Sequence, residues 1–128
     1  MSDGRKTTGS RGELIAAGYL RRQGYTILRT NWRCRRGEID IIARDGATLV
    51  FVEVRTRRSA NLGSPEESVT PAKQRRLAEL AQTYLQWCEA AGKVWPGPWR
   101  IDVIAIRAGA AGTAEHLNHL MNAVEGVT

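Results

Sequence analysis

Hydrophobic and polar residues alternate along two neighbouring stretches in the middle of the chain, residues 38–44 and 47–55. Alternation with a period of two is typical of β-strands that bury one face. Asp45 and Gly46, between the stretches, form a dipeptide that favours the two-residue turn of a tight hairpin. The pattern therefore predicts a β-hairpin over residues 38–56.

The turn also predicts the hairpin register. With Asp45 and Gly46 as the loop, Asp40 lies opposite Phe51, and Glu38 lies opposite Glu53. One face of the hairpin is then apolar except for one threonine, which predicts a core surface. That face comprises Ile39, Ile41, Ala43, Thr48, Val50, Val52 and Val54. The other face mixes acids and a cation with large apolar groups: Glu38, Asp40, Ile42, Leu49, Phe51, Glu53 and Arg55.

Two further segments have apolar residues at helical spacing, and each is followed by a glycine. Ser10 and Glu13 fit a capping box, which predicts a first helix over about residues 11–23. Thr70 and Pro71 fit an N-cap and a first helical position, so a long second helix is expected to follow them. One apolar stripe on this second helix is expected to pack on the sheet.

Three more segments complete the predicted fold. Residues 25–33 and 100–107 have the composition of strands, whereas the tail at 115–126 fits either a short helix or a strand. The order of elements predicts an α/β domain with a mixed central β-sheet, in which the hairpin is central and is flanked by helices. We expect one domain over residues 11–125. Residues 1–10 have no apolar block and are predicted to be a flexible arm rather than a signal peptide.

Composition and charge narrow the class of function. The chain of 128 residues is 42% hydrophobic and has no apolar run near the ~20 residues that a membrane span needs, so we expect a cytoplasmic protein that does not bind membranes. Residues 1–60 carry 13 Lys or Arg and 6 acids, whereas residues 61–128 carry 6 and 7. This one-sided excess favours a nucleic acid as partner, although solubility alone also explains it.

Three acids of the hairpin, Glu38, Asp40 and Glu53, are expected to lie in one patch, where their mutual repulsion requires a cation. A divalent metal and Arg55 are the two candidates. Oxygen-only ligands favour Mg²⁺ or Mn²⁺ over zinc, and such an ion supports phosphodiester hydrolysis. Alternatively, Glu38 forms a structural salt bridge with Arg36 or Arg55.

Several basic residues are candidates for phosphate contacts, and a solvated surface is the competing interpretation. They are Arg35, Arg36, Arg57, Arg58, Lys73 and Arg75. Asp102 is alone within an apolar strand and is predicted to pair with a cation for structural reasons. His116 and His119 have no third ligand nearby in sequence, which argues against zinc.

Several motifs together resemble the YraN family of small bacterial proteins: GEID at 37–40, VFVEVRTR at 50–57, WRIDVIAI at 99–106, and others over about residues 11–125. That family is similar to restriction-endonuclease-like nucleases and Holliday-junction resolvases. The resemblance implies a restriction-endonuclease-like core in which Asp40 and Glu53 ligate the metal. It further implies that Val54 adds a carbonyl ligand and that Glu13 is an auxiliary acid.

Position 55 departs from the nuclease pattern, which has lysine where this chain has Arg55. Arginine stays protonated, so it positions water or stabilises charge but does not remove a proton. Two functions remain open: a Mg²⁺- or Mn²⁺-dependent endonuclease acting on DNA, with Arg55 as its catalytic cation, and a catalytically inactive nucleic-acid-binding module. A protein-interaction adaptor is a third, weaker alternative.

Overall fold

The computed structural model describes residues 7–57, 69–109 and 114–124, apart from the side chains at 7–10, 114 and 115. It has two helices and five strands in these ranges: α1 Thr7–Arg22, β1 Thr26–Cys34, β2 Gly37–Asp45, β3 Thr48–Arg57, α2 Pro71–Ala90, β4 Trp99–Ala108 and β5 Ala114–Leu120. The tail left open between helix and strand is thus a strand. Most of the predicted arm, residues 1–6, lies outside the described residues.

The strands form one sheet in the order β1-β2-β3-β4-β5. The β3–β4 pair is parallel and the other pairs are antiparallel, so the sheet is mixed, with the β2–β3 hairpin inside it. The predicted α/β class is confirmed, and the arrangement is compatible with a restriction-endonuclease-like core. Neither helix in the described part of the chain has the length and apolar character that a membrane crossing requires.

The predicted hairpin register is wrong by two residues. Asp45 pairs with Thr48 and closes β2, so that the two loop residues are Gly46 and Ala47. Phe51 consequently pairs with Ile42 rather than Asp40. The side chain of Asp45 accepts a hydrogen bond from Arg100 Nη2 at 3.3 Å, a tertiary contact that the sequence of the turn does not reveal.

Both faces of the sheet are buried, each by one helix. The α1-side cluster consists of Ala16, Ala17, Leu20, Tyr25, Ile41, Ala43, Val50, Val52, Ile104 and Ile106. The α2-side cluster consists of Trp32, Ile39, Ile42, Leu49, Phe51, Leu80, Ala81, Tyr84, Ile101 and Val124. The apolar members of the predicted mixed face therefore belong to a second core, and only one end of that face is polar.

Strand β2 breaks its alternation at Asp40. Ile41 belongs to the α1-side cluster, whereas Ile39, two residues earlier, belongs to the α2-side cluster. The ladder between β2 and β3 ends at the Ile41–Val52 pair, and on β1 Asn31 has a left-handed φ of 54°. The prediction that Ile39 and Ile41 share a face is therefore wrong, since a strand alternates strictly only where its ladder is regular.

The start of α2 was predicted correctly, whereas the start of α1 was not. Helix α1 begins at Thr7, so Ser10 lies within the helix and the predicted capping box is wrong. Helix α2 begins at Pro71 as predicted, and the N–H of Lys73 donates to Thr70 Oγ1 at 3.3 Å. The local cap identified the second start because the Thr70 side chain does form the N-cap of α2.

A buried polar network anchors β5. Asp102 is fully buried and receives hydrogen bonds from Arg100 Nε at 3.0 Å and from the N–H of Asn122 at 2.9 Å. His119 Nε2 lies 2.8 Å from the same carboxylate, and its Nδ1 lies 3.0 Å from the hydroxyl of Tyr19. The predicted structural pairing of Asp102 with a cation is confirmed.

Candidate metal centre

Carboxylates from α1 and β2 converge at the break in β2. One oxygen from each of Glu13, Glu38 and Asp40 lies within 4.8 Å of the other two. Glu53 of β3 is not one of these three residues, but it lies close enough to Asp40 for its charge to raise the pKa of that carboxyl. We call these four residues the acidic group. Helix α1 and both strands of the hairpin therefore supply its side chains.

Asp40 is at the centre of the acidic group. The N–H of Val54 donates to its Oδ2 at 2.8 Å, so the backbone of β3 holds this carboxyl in place. Burial, followed by the charge of Glu53, raises the pKa of Asp40 from 3.8 to about 8. The carboxyl thus holds a proton at neutral pH when no cation is bound, and it is able to share that proton with Glu53.

Glu13 extends the acidic group from the helix side. Burial is the main cause that raises the pKa of Glu13, and the charge of Glu38 adds to it. A hydrogen bond with the side chain of Asn31 acts in the opposite direction. Sequence reasoning missed Asn31, because its role depends on the left-handed conformation at this one position.

Glu38 has two environments at once. Its Oε2 lies 2.8 Å from Arg33 Nε, so the predicted partners, Arg36 and Arg55, were wrong. Arg36 instead lies 3.5 Å from Glu79 on α2. The ion pair with Arg33 does not remove Glu38 from the acidic group, since an oxygen of the same carboxylate stays close to Glu13 and Asp40.

Arg55 lies beside the acidic group at the position that the resemblance assigns to a catalytic cation. Its Nε is 3.4 Å from Glu53 Oε2, and both side chains are mostly buried. Among the described residues, this buried Nε finds no hydrogen-bond acceptor of good geometry. Arg55 and Arg33 are two cations beside four carboxyls, so the arginines described here neutralise the group only in part.

The donor chemistry of the acidic group fits a hard divalent cation. All four side chains offer carboxylate oxygens, which Mg²⁺ and Mn²⁺ prefer, and neither histidine nor cysteine is among them. Asp40, Glu53, Glu38 and Glu13 are the side chains that would hold such an ion. The resemblance implies that the backbone carbonyl of Val54 is also a metal ligand, and this stays a prediction.

The predicted phosphate-contact residues lie in three places. Arg35 and Arg36 are exposed in the turn between β1 and β2, and Lys73 and Arg75 are exposed in the first turns of α2. Arg57 ends β3. Arg58 lies outside the described residues.

Comparison with known proteins identifies relatives over most of the chain. The model of a family described as "Uncharacterised protein family UPF0102" matches residues 12–106. A UPF0102 protein of Herpetosiphon aurantiacus is 54% identical over 106 residues, which cover 83% of this chain and 86% of the relative. A UPF0102 protein of Roseiflexus castenholzii is 46% identical over 125 residues, which cover 98% of each chain.

Proposed function

Because the chain belongs to the UPF0102 family, whose description names no activity, we propose a function from the site itself: a Mg²⁺- or Mn²⁺-dependent endonuclease that acts on DNA. The resemblance to YraN proteins and the nuclease-like fold support this choice of reaction. Fold alone does not determine activity, so the proposal depends on the chemistry of the acidic group.

The convergence of the Glu13, Glu38 and Asp40 carboxyls, with Glu53 beside Asp40, is the observation that carries the proposal. Burying like charges together is costly, and the raised pKa of Asp40 is one consequence of that cost. A divalent cation removes the penalty and favours the ionised form of Asp40 and Glu13. A site that serves stability alone gains nothing from this arrangement, since apolar residues of similar size pack at least as well.

Each residue has a distinct part in the proposed reaction. Asp40 and Glu53 hold the ion, and the Val54 N–H fixes the orientation of the Asp40 carboxyl. A bound Mg²⁺ or Mn²⁺ supplies Lewis-acid polarisation of the scissile phosphate and activation of water. Arg55 stabilises the negative charge that develops on the phosphoryl oxygens and orients Glu53.

Cleavage assays on metal-loaded protein test the proposal. Single-stranded, duplex and junction DNA are incubated with wild type, Asp40→Asn and Glu53→Gln in Mg²⁺ or Mn²⁺. We expect wild type to cut at least one substrate and each variant to lose about 100-fold or more in rate, because each substitution removes an ionic ligand. Glu89→Gln, an exposed acid on α2, is the matched control and is expected to retain full activity.

Equal cleavage by wild type and both site variants would exclude the acidic group as the active site. The wild-type reaction is also expected to stop when EDTA is added, because the proposed hydrolysis requires the ion.

A binding module that does not cut DNA is the second candidate, and Arg55 is the observation that favours it. Arginine, unlike lysine, does not give up its proton, so position 55 supplies no side chain that is able to assist proton removal. This candidate predicts salt-sensitive DNA binding with no product in any metal. Affinity that does not change with salt concentration would exclude phosphate contacts and with them this function.

A further inference from the structure

A basic hollow lies directly beside the acidic group. It has a volume of about 490 Å³ and is formed by the turn between β1 and β2 together with α2. Its lining residues are Arg33, Cys34, Arg35, Arg36, Gly37, Glu38 and Arg76. Four of these seven are arginines. Because Glu38 also belongs to the acidic group, this turn hollow opens next to the candidate metal centre.

A second basic hollow continues along α2. Its volume is about 480 Å³, and its lining residues are Ala72, Lys73, Arg75, Arg76 and Glu79. Arg76 lines both hollows, so this helix hollow and the turn hollow meet at one guanidinium. The two together extend the basic surface from the acidic group to the first turns of α2.

Arg76 is held in place between the hollows. Its Nη2 donates to the carbonyl oxygen of Arg36 at 3.1 Å. Gly37 allows this close approach, because a Cβ at that position would lie 2.9 Å from Arg76 Nη2 and 3.6 Å from Leu80. Gly37 also has a φ of 149°, a conformation that other residues rarely adopt. The shared guanidinium is therefore positioned before any ligand arrives.

The balance of charge favours an anionic ligand with several charges. The two hollows together contain six cations and two acids. Each acid already pairs with one arginine, Glu38 with Arg33 and Glu79 with Arg36. The remaining excess of positive charge lies along a path rather than at one point, which suits a chain of phosphates better than a single anion.

We propose that the turn hollow and the helix hollow bind successive phosphates of one nucleic acid strand. The phosphodiester backbone is the recognised chemistry, and it is present in single-stranded and in duplex nucleic acid. The inference rests on the proposed function in one respect only. If the acidic group cleaves the strand, the strand runs from the scissile phosphate at the acidic group towards α2. Binding itself requires no hydrolysis.

Metal-free binding measurements test the inference. Fluorescence anisotropy of a labelled 20-nucleotide DNA, single-stranded or duplex, is measured in EDTA over a range of salt concentrations. Arg35→Ala probes the turn hollow and Arg75→Ala the helix hollow, since both residues are exposed. We expect each to weaken binding about fivefold, the double variant to combine both losses, and the salt dependence to fall by about one released ion per variant.

Arg44→Ala is the matched control. Arg44 is an exposed arginine near the far end of β2, about 23 Å from Gly37 at the usual rise of a strand. It is expected to change affinity less than twofold, and Arg35→Lys is expected to restore most of the binding that Arg35→Ala loses. Unchanged thermal unfolding midpoints verify that every variant is folded.

Three results would overturn the inference: no DNA binding by wild type, wild-type affinity in both hollow variants, or an equal loss in Arg44→Ala. The last would indicate that only overall charge matters. If the variants lose affinity for single-stranded but not for duplex DNA, the hollows bind unpaired strands. If they lose affinity for duplex DNA only, the hollows bind duplexes. Because EDTA prevents cleavage, these results are independent of whether the protein is a nuclease.

Discussion

At the scale of single residues, the environment of a carboxyl decides its behaviour more than its chemical type does. Asp40 and Asp102 are both largely withdrawn from solvent, yet their pKa values shift in opposite directions. Asp40 faces other acids, whereas Asp102 receives hydrogen bonds from Arg100 and His119. The environment of Asp40 favours binding of a cation, whereas the environment of Asp102 stabilises the fold through hydrogen bonds.

Asp40 gives a prediction about stability and pH. Because the pKa of Asp40 is raised to about 8 from 3.8, the folded protein keeps a proton that the unfolded chain releases between these values. The stability that this proton provides is complete below pH ~4 and is lost as pH rises through ~8. We expect Asp40→Asn to gain stability relative to wild type over that range, on the order of a few kcal/mol by pH 9.

Urea unfolding in EDTA at pH 4.5 and pH 9 measures this difference. Glu89→Gln serves as the control and is expected to follow wild type at both pH values. A gap between wild type and Asp40→Asn that does not change with pH would contradict the raised pKa.

Asp102 gives the opposite prediction. Although burial raises the pKa of Asp102, hydrogen bonds from His119, Arg100 and the Asn122 N–H lower it further than burial raises it. Its stabilising effect is therefore complete above the unfolded value near 4 and is lost as pH falls through the lower folded value. Asp102→Asn is expected to cost on the order of 3 kcal/mol at pH 7, because it breaks a buried charged network.

Chemical unfolding at pH 7 and near pH 3 measures the cost of Asp102→Asn. The difference from wild type is expected to shrink at the lower pH, because Asp102 takes up a proton there in the unfolded wild-type chain and the free energy of unfolding falls. A cost below ~1 kcal/mol at pH 7 would mean that the network contributes little to stability.

At the scale of elements, α1 approaches the sheet closely enough to bring Glu13 into the acidic group. Gly12 is buried, and a Cβ at its position would meet Thr56 Oγ1 and lie 3.5 Å from Val54. The absence of a side chain at this residue therefore sets the distance between the helix and β3. Glu13, the next residue, faces the other acids as a result.

Gly12→Ala tests this placement of α1. The added methyl group is expected to push the helix from β3, to cost about 1–3 kcal/mol of stability and to weaken Mn²⁺ binding several-fold. Gly18→Ala is the matched control on the same helix. Its Cβ would meet only the end of Arg22 at 3.4 Å, so we expect a gain of about 0.5–1 kcal/mol and unchanged Mn²⁺ affinity.

Thermal unfolding and calorimetric Mn²⁺ titration of the two variants provide the measurements. Equal effects of both substitutions would show that the contact between Gly12 and Thr56 does not set the position of α1.

At the scale of the whole molecule, two hydrophobic clusters share a single sheet. β2 and β3 contribute side chains to both clusters, so neither cluster is able to unfold without exposing the other. Tryptophan fluorescence reports on the α2 side of the sheet only. Trp32 belongs to the α2-side cluster, Trp95 and Trp99 pack against it, and Trp87 contacts Trp32. Glu13 of the acidic group belongs to α1, the helix that covers the opposite face of the sheet.

This arrangement predicts that a bound ion stabilises the molecule as a unit. Mg²⁺ at about 100 times its dissociation constant is expected to add ~2.7 kcal/mol, and thus to raise the thermal midpoint by several degrees. The tryptophan signal and far-UV circular dichroism are expected to shift together. Asp40→Asn is expected to show no shift, and a midpoint of wild type that Mg²⁺ leaves unchanged would contradict the metal site.

The sequence by itself determined the elements and the carriers of the chemistry. Alternation predicted the hairpin, helical spacing predicted both helices, and Thr70 with Pro71 located the start of α2. Asp40 and Glu53 were identified as acids within an otherwise apolar hairpin, and in the structure the charge of Glu53 raises the pKa of Asp40. These features are local, so a short stretch of chain contains all the residues that specify them.

Only the tertiary structure decided which residues meet. The observed register places Asp45 beside Arg100, 55 residues further along the chain, and the break at Asp40 lies opposite Asn31, which has a left-handed φ on the neighbouring strand. Arg33 rather than Arg36 pairs with Glu38, and α1 brings Glu13 to β2. Packing across the sheet selects partners of this kind. Sequence periodicity predicts the face on which a residue lies, but it does not predict which residue lies next to it.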